Sequence, residues 1–165
     1  MIRTRLMSVA FLLNGDRILF MRRSLNAELL PGMWASIGGH LEVEEINDPR
    51  AACLREIKEE TGLTENDVVD LLLKYVVLRR KGNEIRIQYI YFGSTHTEDV
   101  GTTEEGELHW IQIDKAFELD MSATSRFILE HYTRLGSKTD CVYVGTIDVE
   151  HDKPVVRWAA LRDWE

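Results

Sequence analysis

Three glutamates between residues 55 and 63 have a spacing that would bring their carboxylates together. Glu56, Glu59 and Glu60 stand at positions i, i+3 and i+4, so on a helix they share one side. Like charges at this spacing destabilise a helix by roughly 0.2–0.5 kcal/mol per pair, and a divalent cation would reverse that effect. Carboxylates without neighbouring Cys or His favour magnesium, manganese or calcium over zinc. A solvated acidic face is the alternative, and the glutamates alone do not decide between the two.

The residues at either end of this segment predict where the helix begins and ends. Asp48 is a good N-cap, Pro49 suits the first helical position, and Gly62 suits the position just after the last turn. The predicted helix therefore covers about 48–61, with the acidic face in its C-terminal half. The helix dipole disfavours negative charge there, which favours the metal-binding interpretation.

The rest of the chain alternates between strand and helix patterns. The turn Asn14-Gly15 follows an apolar stretch at 6–13, which we interpret as a strand rather than a signal peptide. A second helix is predicted near 122–135. The predicted strands are 4–13, 17–23, 34–38, 68–80, 84–93, 107–113, 141–149 and 154–162.

The residues around the acidic helix resemble the signature of the Nudix hydrolases. That signature is Gly, five residues, Glu, seven residues, then Arg-Glu-aliphatic-any-Glu-Glu-any-Gly-aliphatic. The matching positions are Gly39, Glu45, Arg55, Glu56, Ile57, Glu59, Glu60, Gly62 and Leu63. One difference is that nine residues, not seven, separate Glu45 from Arg55. The extra pair lies around 46–48, where it lengthens a loop and leaves the spacing of the helix glutamates intact.

The resemblance implies an α/β/α sandwich around a mixed sheet, and it extends over about residues 5–135. It also implies a Mg²⁺ site, with Mn²⁺ as a substitute, to which the main-chain carbonyl of Gly39 contributes beside Glu56, Glu59 and Glu60. Glu59 and Glu60 are also candidate catalytic residues, and Arg55 is expected to orient a helix glutamate. The hairpin at about 140–165 lies outside the resemblance and is interpreted as an edge addition, a lid or a dimer contact.

Further candidate site residues lie outside the helix. Arg22 and Arg23 end the second strand, where they are candidates for binding substrate phosphates, together with the Gly38-Gly39 pair. In the family, a glutamate of a later loop supplies a further metal ligand or a general base, and Glu105 and Glu107 are the candidates here. Asp120 is a candidate either for capping the second helix or for recognising a purine.

The substrate class follows from weaker similarities. The segments 30–34 and 105–110 resemble the MutT-like branch, which hydrolyses nucleoside triphosphates. The first hypothesis is therefore release of pyrophosphate from a (deoxy)nucleoside triphosphate, with 8-oxo-dGTP as one candidate. The alternatives are a nucleotide-sugar or dinucleotide pyrophosphatase, and a non-catalytic nucleotide-sensing module. The intact glutamate set argues against the last.

Composition limits the partners. The length of 165 residues suits one domain spanning 1–165. A net charge of −8 argues against a nucleic-acid polymer, whereas bound cations would still admit a small polyphosphate. Cys53 and Cys141 form no metal or redox motif, which is typical of a reducing cytoplasm. We expect a cytoplasmic protein with no membrane partner, and a homodimer is left open.

Overall fold

The computed structural model describes residues 1–27, 30–101 and 103–164. Within them the chain forms a sheet and two α-helices, α1 (Pro49–Thr61) and α2 (Ala123–Arg134). Four short 3₁₀ helices lie at 43–45, 65–67, 115–118 and 136–138. The strands are β1 (Arg3–Asn14), β2 (Arg17–Arg23), β3 (Trp34–Ala35), β4 (Ile37–His40), β5 (Val69–Lys81), β6 (Glu84–Ser94), β7 (Gly106–Gln112), β8 (Val142–Glu150) and β9 (Lys153–Leu161).

The sheet is mixed. Its strand order is β3-β2-β1-β6-β5-β8-β9, with β4 also pairing with β1 and β7 with β2. The pairs β1–β6 and β5–β8 are parallel, and the other pairs are antiparallel. The long strands β1 and β6 therefore lie at the centre of the sheet. Strands β2 and β3 are on one side of them, and β5 and the terminal hairpin are on the other.

Each face of the sheet packs against one helix, because successive strand residues point to opposite sides. The α1 face contains Ala10, Leu12, Leu19, Met21, Cys53 and Ile57. The α2 face contains Val9, Phe11, Ile18, Phe20, Ile128 and Leu129. Full burial of one such large apolar side chain stabilises the fold by roughly 1.5–3 kcal/mol. The predicted α/β/α sandwich is confirmed.

The boundaries of α1 are those expected from the sequence. The side chain of Asp48 accepts a hydrogen bond from the Ala51 N–H, and Pro49 opens the helix. Gly62 follows the last turn with a φ of 78°, and its N–H donates to the Lys58 carbonyl. Main-chain groups at both ends of the helix therefore form hydrogen bonds with residues close in sequence.

Two local predictions were wrong. The single strand predicted at 34–38 is two strands, because the chain changes partner at Ser36: β3 pairs with β2, and β4 pairs with β1 and extends to His40. The N-cap of α2 is Ser122, whose side chain accepts from the Ser125 N–H at 3.1 Å, and not Asp120.

The terminal hairpin is an addition to the edge of the sheet. Strand β8 pairs in parallel with β5, and β9 forms the outer edge, at the opposite side of the sheet from β2 and β7. The rings of Tyr143 and Trp158 pack on the buried Tyr75, with centroids 5.9 and 5.1 Å away. Of the three interpretations of this hairpin, the structure therefore favours the edge addition.

None of the helices in the described parts of the chain is long and apolar enough to cross a membrane.

Candidate active site

Helix α1 packs its glutamates against two glycines of β4. The Gly38 N–H donates a hydrogen bond of 3.1 Å to Oε2 of Glu60. A Cβ on Gly39 would lie 2.5 Å from Oε1 of Glu56. Gly38 has a φ of 143°, and a Cβ there would lie 2.2 Å from the Ser8 carbonyl oxygen. Both positions therefore require glycine. The main chain of Ser8 fills the space at Gly38, and the carboxylate of Glu56 fills it at Gly39.

Burial disfavours the charged form of the Glu60 and Glu56 carboxylates. Glu60 is only 7% exposed, and burial raises its pKa to about 8, with smaller contributions from the charges of Glu105 and Glu56. Burial also raises the pKa of Glu56, despite a hydrogen bond from Arg55. Ionised carboxylates in such a setting favour a nearby cation.

Glu59, the third helix glutamate, has a different environment. Its side chain is 58% exposed, and it accepts a hydrogen bond of 3.1 Å from Arg55. The helix therefore presents two buried carboxylates against β4 and one towards solvent.

Arg55 is the centre of a hydrogen-bond network. Its Nε and Nη2 donate to the two carboxylate oxygens of Glu45 at 2.8 and 2.9 Å. Nη1 donates to Glu56 at 2.8 Å and to Glu59 at 3.1 Å, and Nη2 also donates to the His40 carbonyl at 3.0 Å. These partners raise the pKa of Arg55 and lower that of Glu45. The geometry is that of an arginine that orients helix glutamates, as the resemblance implies.

The two extra residues between Glu45 and Arg55 are accommodated in a turn, and Glu45 keeps its contact with Arg55. They fall in the turn at 46–48, where the Asp48 N–H donates to the Glu45 carbonyl at 2.8 Å. Glu45 itself remains in bidentate contact with the arginine. The longer spacing therefore does not displace Glu45 from the site.

Among the described residues, no three His, Cys, Asp or Glu side chains are close enough together to bind one metal ion. Arg55 donates to both Glu56 and Glu59. The donor set nevertheless fits a hard divalent cation. Burial raises the pKa values of Glu56 and Glu60, and Gly39, which has no Cβ, lets the Glu56 carboxylate lie against β4.

The two candidates from the later acidic segment lie in different places. Glu105 is close enough to raise the pKa values of Glu56 and Glu60, and its carboxylate lies 3.9 Å from Arg23. Glu107 is 77% exposed and lies 3.4 Å from Nε2 of His109. The charge of Glu105, and not that of Glu107, acts on the helix glutamates.

Arg22 and Arg23 point to opposite faces of the sheet, as neighbours on a strand must. Arg22 pairs with Glu107 across β2–β7, whereas Arg23 lies towards Glu105. In the part of the chain that the structure describes, the buried Nε of Arg23 has no hydrogen-bond partner. A cavity of about 480 Å³ lies here, lined by Arg22, Arg23, Ser24, Leu25, Thr103, Glu104, Gly106 and Glu107.

Asp120 lies beside this region. Its side chain is exposed, and its carbonyl accepts a hydrogen bond of 2.9 Å from the Trp34 N–H. Trp34 in turn pairs with Arg22 across β2–β3. Asp120 is therefore near Arg22 and is separated from the helix glutamates by the sheet.

His40 is a residue of this region that sequence reasoning missed. Its carbonyl binds Arg55, and partial burial and then the charges of Arg5 and Arg86 lower the pKa of its imidazole. The signal available in the sequence was its position directly after Gly39.

Comparison with known proteins shows the fold and the family. A segment of 58 residues is 38% identical to Nudix hydrolase 25 of Arabidopsis thaliana, covering 35% of this chain and 30% of that protein. The MutT protein of Bacillus halodurans has a similar structure, with a TM-score of 0.73 and 22% identity over 93% of this chain and 97% of the other. The MutT protein of Methanosarcina mazei has a TM-score of 0.71 and 24% identity over 84% and 98%. The sequence model of the NUDIX domain matches residues 3–132, and the chain therefore belongs to the Nudix family.

Proposed function

We propose that the protein is a metal-dependent pyrophosphohydrolase that cleaves a phosphoanhydride bond of a nucleoside diphosphate derivative. The observation that carries this proposal is the packing of Glu56 and Glu60 against Gly38 and Gly39 in a chain of the Nudix family. The first candidate substrate is a (deoxy)nucleoside triphosphate, 8-oxo-dGTP included, which would yield the monophosphate and pyrophosphate.

Glu56, Glu59, Glu60 and the carbonyl of Gly39 would hold the metal, for which Mg²⁺ is the first choice and Mn²⁺ a substitute. A bound divalent cation supplies charge neutralisation for phosphate oxygens and makes a water molecule more acidic. The carboxylates supply hard oxygen donors, and the burial of Glu56 and Glu60 limits competition from solvent.

The chain's own side chains have separate tasks in this proposal. Arg55 fixes the carboxylates of Glu56 and Glu59, so that little reorganisation is needed when substrate binds. Glu105 is the first candidate for accepting a proton from the attacking water, since it lies close to Glu56 and Glu60.

The cavity of about 480 Å³ beside Arg22 and Arg23 is the proposed substrate site. Its volume is in the range of small-molecule sites. The two guanidinium groups offer donors for phosphate oxygens, and Arg23 has a buried Nε with no partner in the described parts of the chain. We assign Glu107 and Asp120 to this substrate region rather than to proton transfer.

A nucleotide panel tests the proposal. It contains canonical and 8-oxo-purine triphosphates, nucleotide sugars and dinucleotides, each assayed with Mg²⁺ and with EDTA. We expect Mg²⁺-dependent release of pyrophosphate from a triphosphate. Cleavage of only nucleotide sugars or dinucleotides would move the substrate to the alternative class. Binding without turnover across the panel would contradict the enzymatic proposal and favour a nucleotide sensor.

The buried carboxylate predicts an unusual effect of Glu60→Gln on stability without metal. Because burial raises the pKa of Glu60 from 4.5 to about 8, the folded state holds a proton in this window that the unfolded chain releases. The stability of the wild type should therefore fall as pH rises from 4.5 to about 8. Glutamine stays neutral and keeps an acceptor for the Gly38 N–H. In EDTA, the Tm of the variant should exceed that of the wild type near pH 8.5 and approach it near pH 5.

Glu59→Gln is the matched control, because that side chain is 58% exposed and should give no such pH-dependent gain. Addition of Mg²⁺ should raise the Tm of the wild type and have less effect on Glu60→Gln. A lower Tm for Glu60→Gln than for the wild type in EDTA at pH 8.5 would contradict the assignment.

A further inference from the structure

Three arginines form a row across three adjacent strands. Arg5 on β1 pairs with Arg86 on β6, and Arg86 pairs with Arg79 on β5. Directly paired residues point to the same face of a sheet. Arg79 and Arg86 are each an even number of residues from Val77 and Ile90, which belong to the α2 face. We call Arg5, Arg86 and Arg79 the arginine row, and it lies on the α2 face.

This arrangement is unfavourable for the protein alone. Like charges directly opposite one another destabilise a sheet. In the described part of the chain, the carboxylate in contact with the row is Glu84, which lies 3.6 Å from Arg5 and accepts a hydrogen bond of 2.5 Å from Arg86. The buried Nε of Arg79 and the buried Oε1 of the neighbouring Gln88 have no hydrogen-bond partner among the described residues. The row thus has an excess of positive charge and an unused donor.

The row begins near the end of β4, on the face of the sheet opposite the helix glutamates. Met7 pairs with His40, the residue after Gly39, and Arg5 is two residues before Met7. At about 3.4 Å per strand residue, the row begins roughly 10 Å from Gly39. A ligand that reaches from β4 across the α2 face would meet the row.

The row is also open to solvent at one end. The side chain of Arg5 is 38% exposed, and that of Arg86 is 20% exposed. Helix α2 packs on the other half of the face, through Ile128 and Leu129. An anionic group can therefore approach the row without displacing a helix.

We propose that the arginine row binds a phosphate group of the substrate that is separate from the phosphoanhydride being cleaved. This proposal rests on the proposed function, and it favours nucleoside diphosphate derivatives that carry an additional phosphate. Several guanidinium groups on one face match the many acceptor positions of a phosphate, and their charge-assisted hydrogen bonds are strong.

The first test measures anion binding without catalysis. Binding of inorganic tripolyphosphate is measured by calorimetry in EDTA, for the wild type, Arg79→Gln and Arg80→Gln. Arg80 is the matched control, because it is the next residue on β5, pairs with Ile85 on the α1 face and donates to the Gly82 carbonyl. We expect Arg79→Gln to weaken binding about tenfold or more and Arg80→Gln to leave it unchanged.

Stability separates binding from a structural role. If the row binds ligand, Arg79→Gln removes repulsion and an unpaired buried donor, so its Tm should equal or exceed that of the wild type. A lower Tm with unchanged tripolyphosphate affinity would overturn the proposal. So would binding that is lost in Arg23→Gln and kept in Arg79→Gln, because the anion would then occupy the cavity beside Arg23.

The second test uses substrates that differ by one phosphate. The pairs are NADPH with NADH, and coenzyme A with dephospho-coenzyme A, assayed with Mg²⁺. We expect the member with the additional phosphate to have the higher kcat/KM, and Arg79→Gln to remove this preference by raising KM about tenfold with kcat kept. Equal efficiency within both pairs for wild type and variant would overturn the proposal.

The two proposals fail in different ways. No hydrolysis of any panel nucleotide, with tripolyphosphate binding lost in Arg79→Gln, would contradict the proposed function and support an anion site at the row. Hydrolysis of triphosphates, with no tripolyphosphate binding in EDTA, would support the proposed function and overturn the proposal that the arginine row binds phosphate.

Discussion

Glu59→Gln is expected to lower kcat about a thousandfold while the fold stays intact. The loss follows if Glu59 helps to hold the metal that neutralises the phosphate oxygens, because such groups act mainly in the transition state. Glutamine keeps the size of the side chain and removes its charge. Steady-state hydrolysis at saturating Mg²⁺, with the best substrate of the panel, measures the effect.

Glu65→Gln is the matched control for this variant. Glu65 accepts one hydrogen bond of 3.0 Å from Arg50, as Glu59 accepts one of 3.1 Å from Arg55, and both glutamates are more than half exposed. Substitutions of this kind usually change stability by no more than about 0.5 kcal/mol. We therefore expect both variants to unfold at the wild-type Tm and only Glu59→Gln to lose turnover. Wild-type turnover in Glu59→Gln would exclude Glu59 from the metal site.

The acidic helix was predictable because its determinants are local. Asp48, Pro49 and Gly62 each act on a backbone group within a few residues, and the i, i+3, i+4 spacing of the glutamates needs no tertiary information. The fold class followed from the family signature, and the terminal hairpin from two predicted strands on either side of a turn.

The partners of the strands were not predictable in the same way. The predicted strand at 34–38 ended at Gly38, and it continues to His40 because β1 lies beside it with Ser8 opposite Gly39. The three arginines of the row lie far apart along the chain, and only the register of β1, β6 and β5 places them together. Non-local pairing is set by the whole sheet, so no short motif encodes it.

The placement of Glu105 and Glu107 shows the same limit. Both belong to one acidic segment, and a shift of two residues moves a side chain from the region of the helix glutamates to that of His109. The direction of each side chain depends on where β7 begins to pair with β2, at Gly106 opposite Arg23. Sequence reasoning could name both candidates and could not choose between them.

Arg55→Lys is expected to lower both activity and stability, although it keeps the positive charge. The guanidinium serves both oxygens of Glu45 and also Glu56, Glu59 and the His40 carbonyl. An ammonium group keeps the charge, but its three donors cannot reproduce this planar, bidentate geometry. The carboxylates would lose their fixed orientation, so we expect kcat/KM to fall about a hundredfold.

Stability should fall with activity in Arg55→Lys. The side chains of Arg55 and Glu45 are only 23% and 13% exposed, and weakening an ion pair of this kind leaves a carboxylate without its partner. We expect a loss of about 2 kcal/mol, which lowers Tm by roughly 5 °C in a chain of this size. Arg50→Lys is the matched control, since Arg50 makes an exposed contact with Glu65 whose loss should cost little. If Arg55→Lys kept wild-type Tm and turnover, the network would be a surface contact, and the orientation of the helix glutamates would have to come from their packing against Gly38 and Gly39 alone.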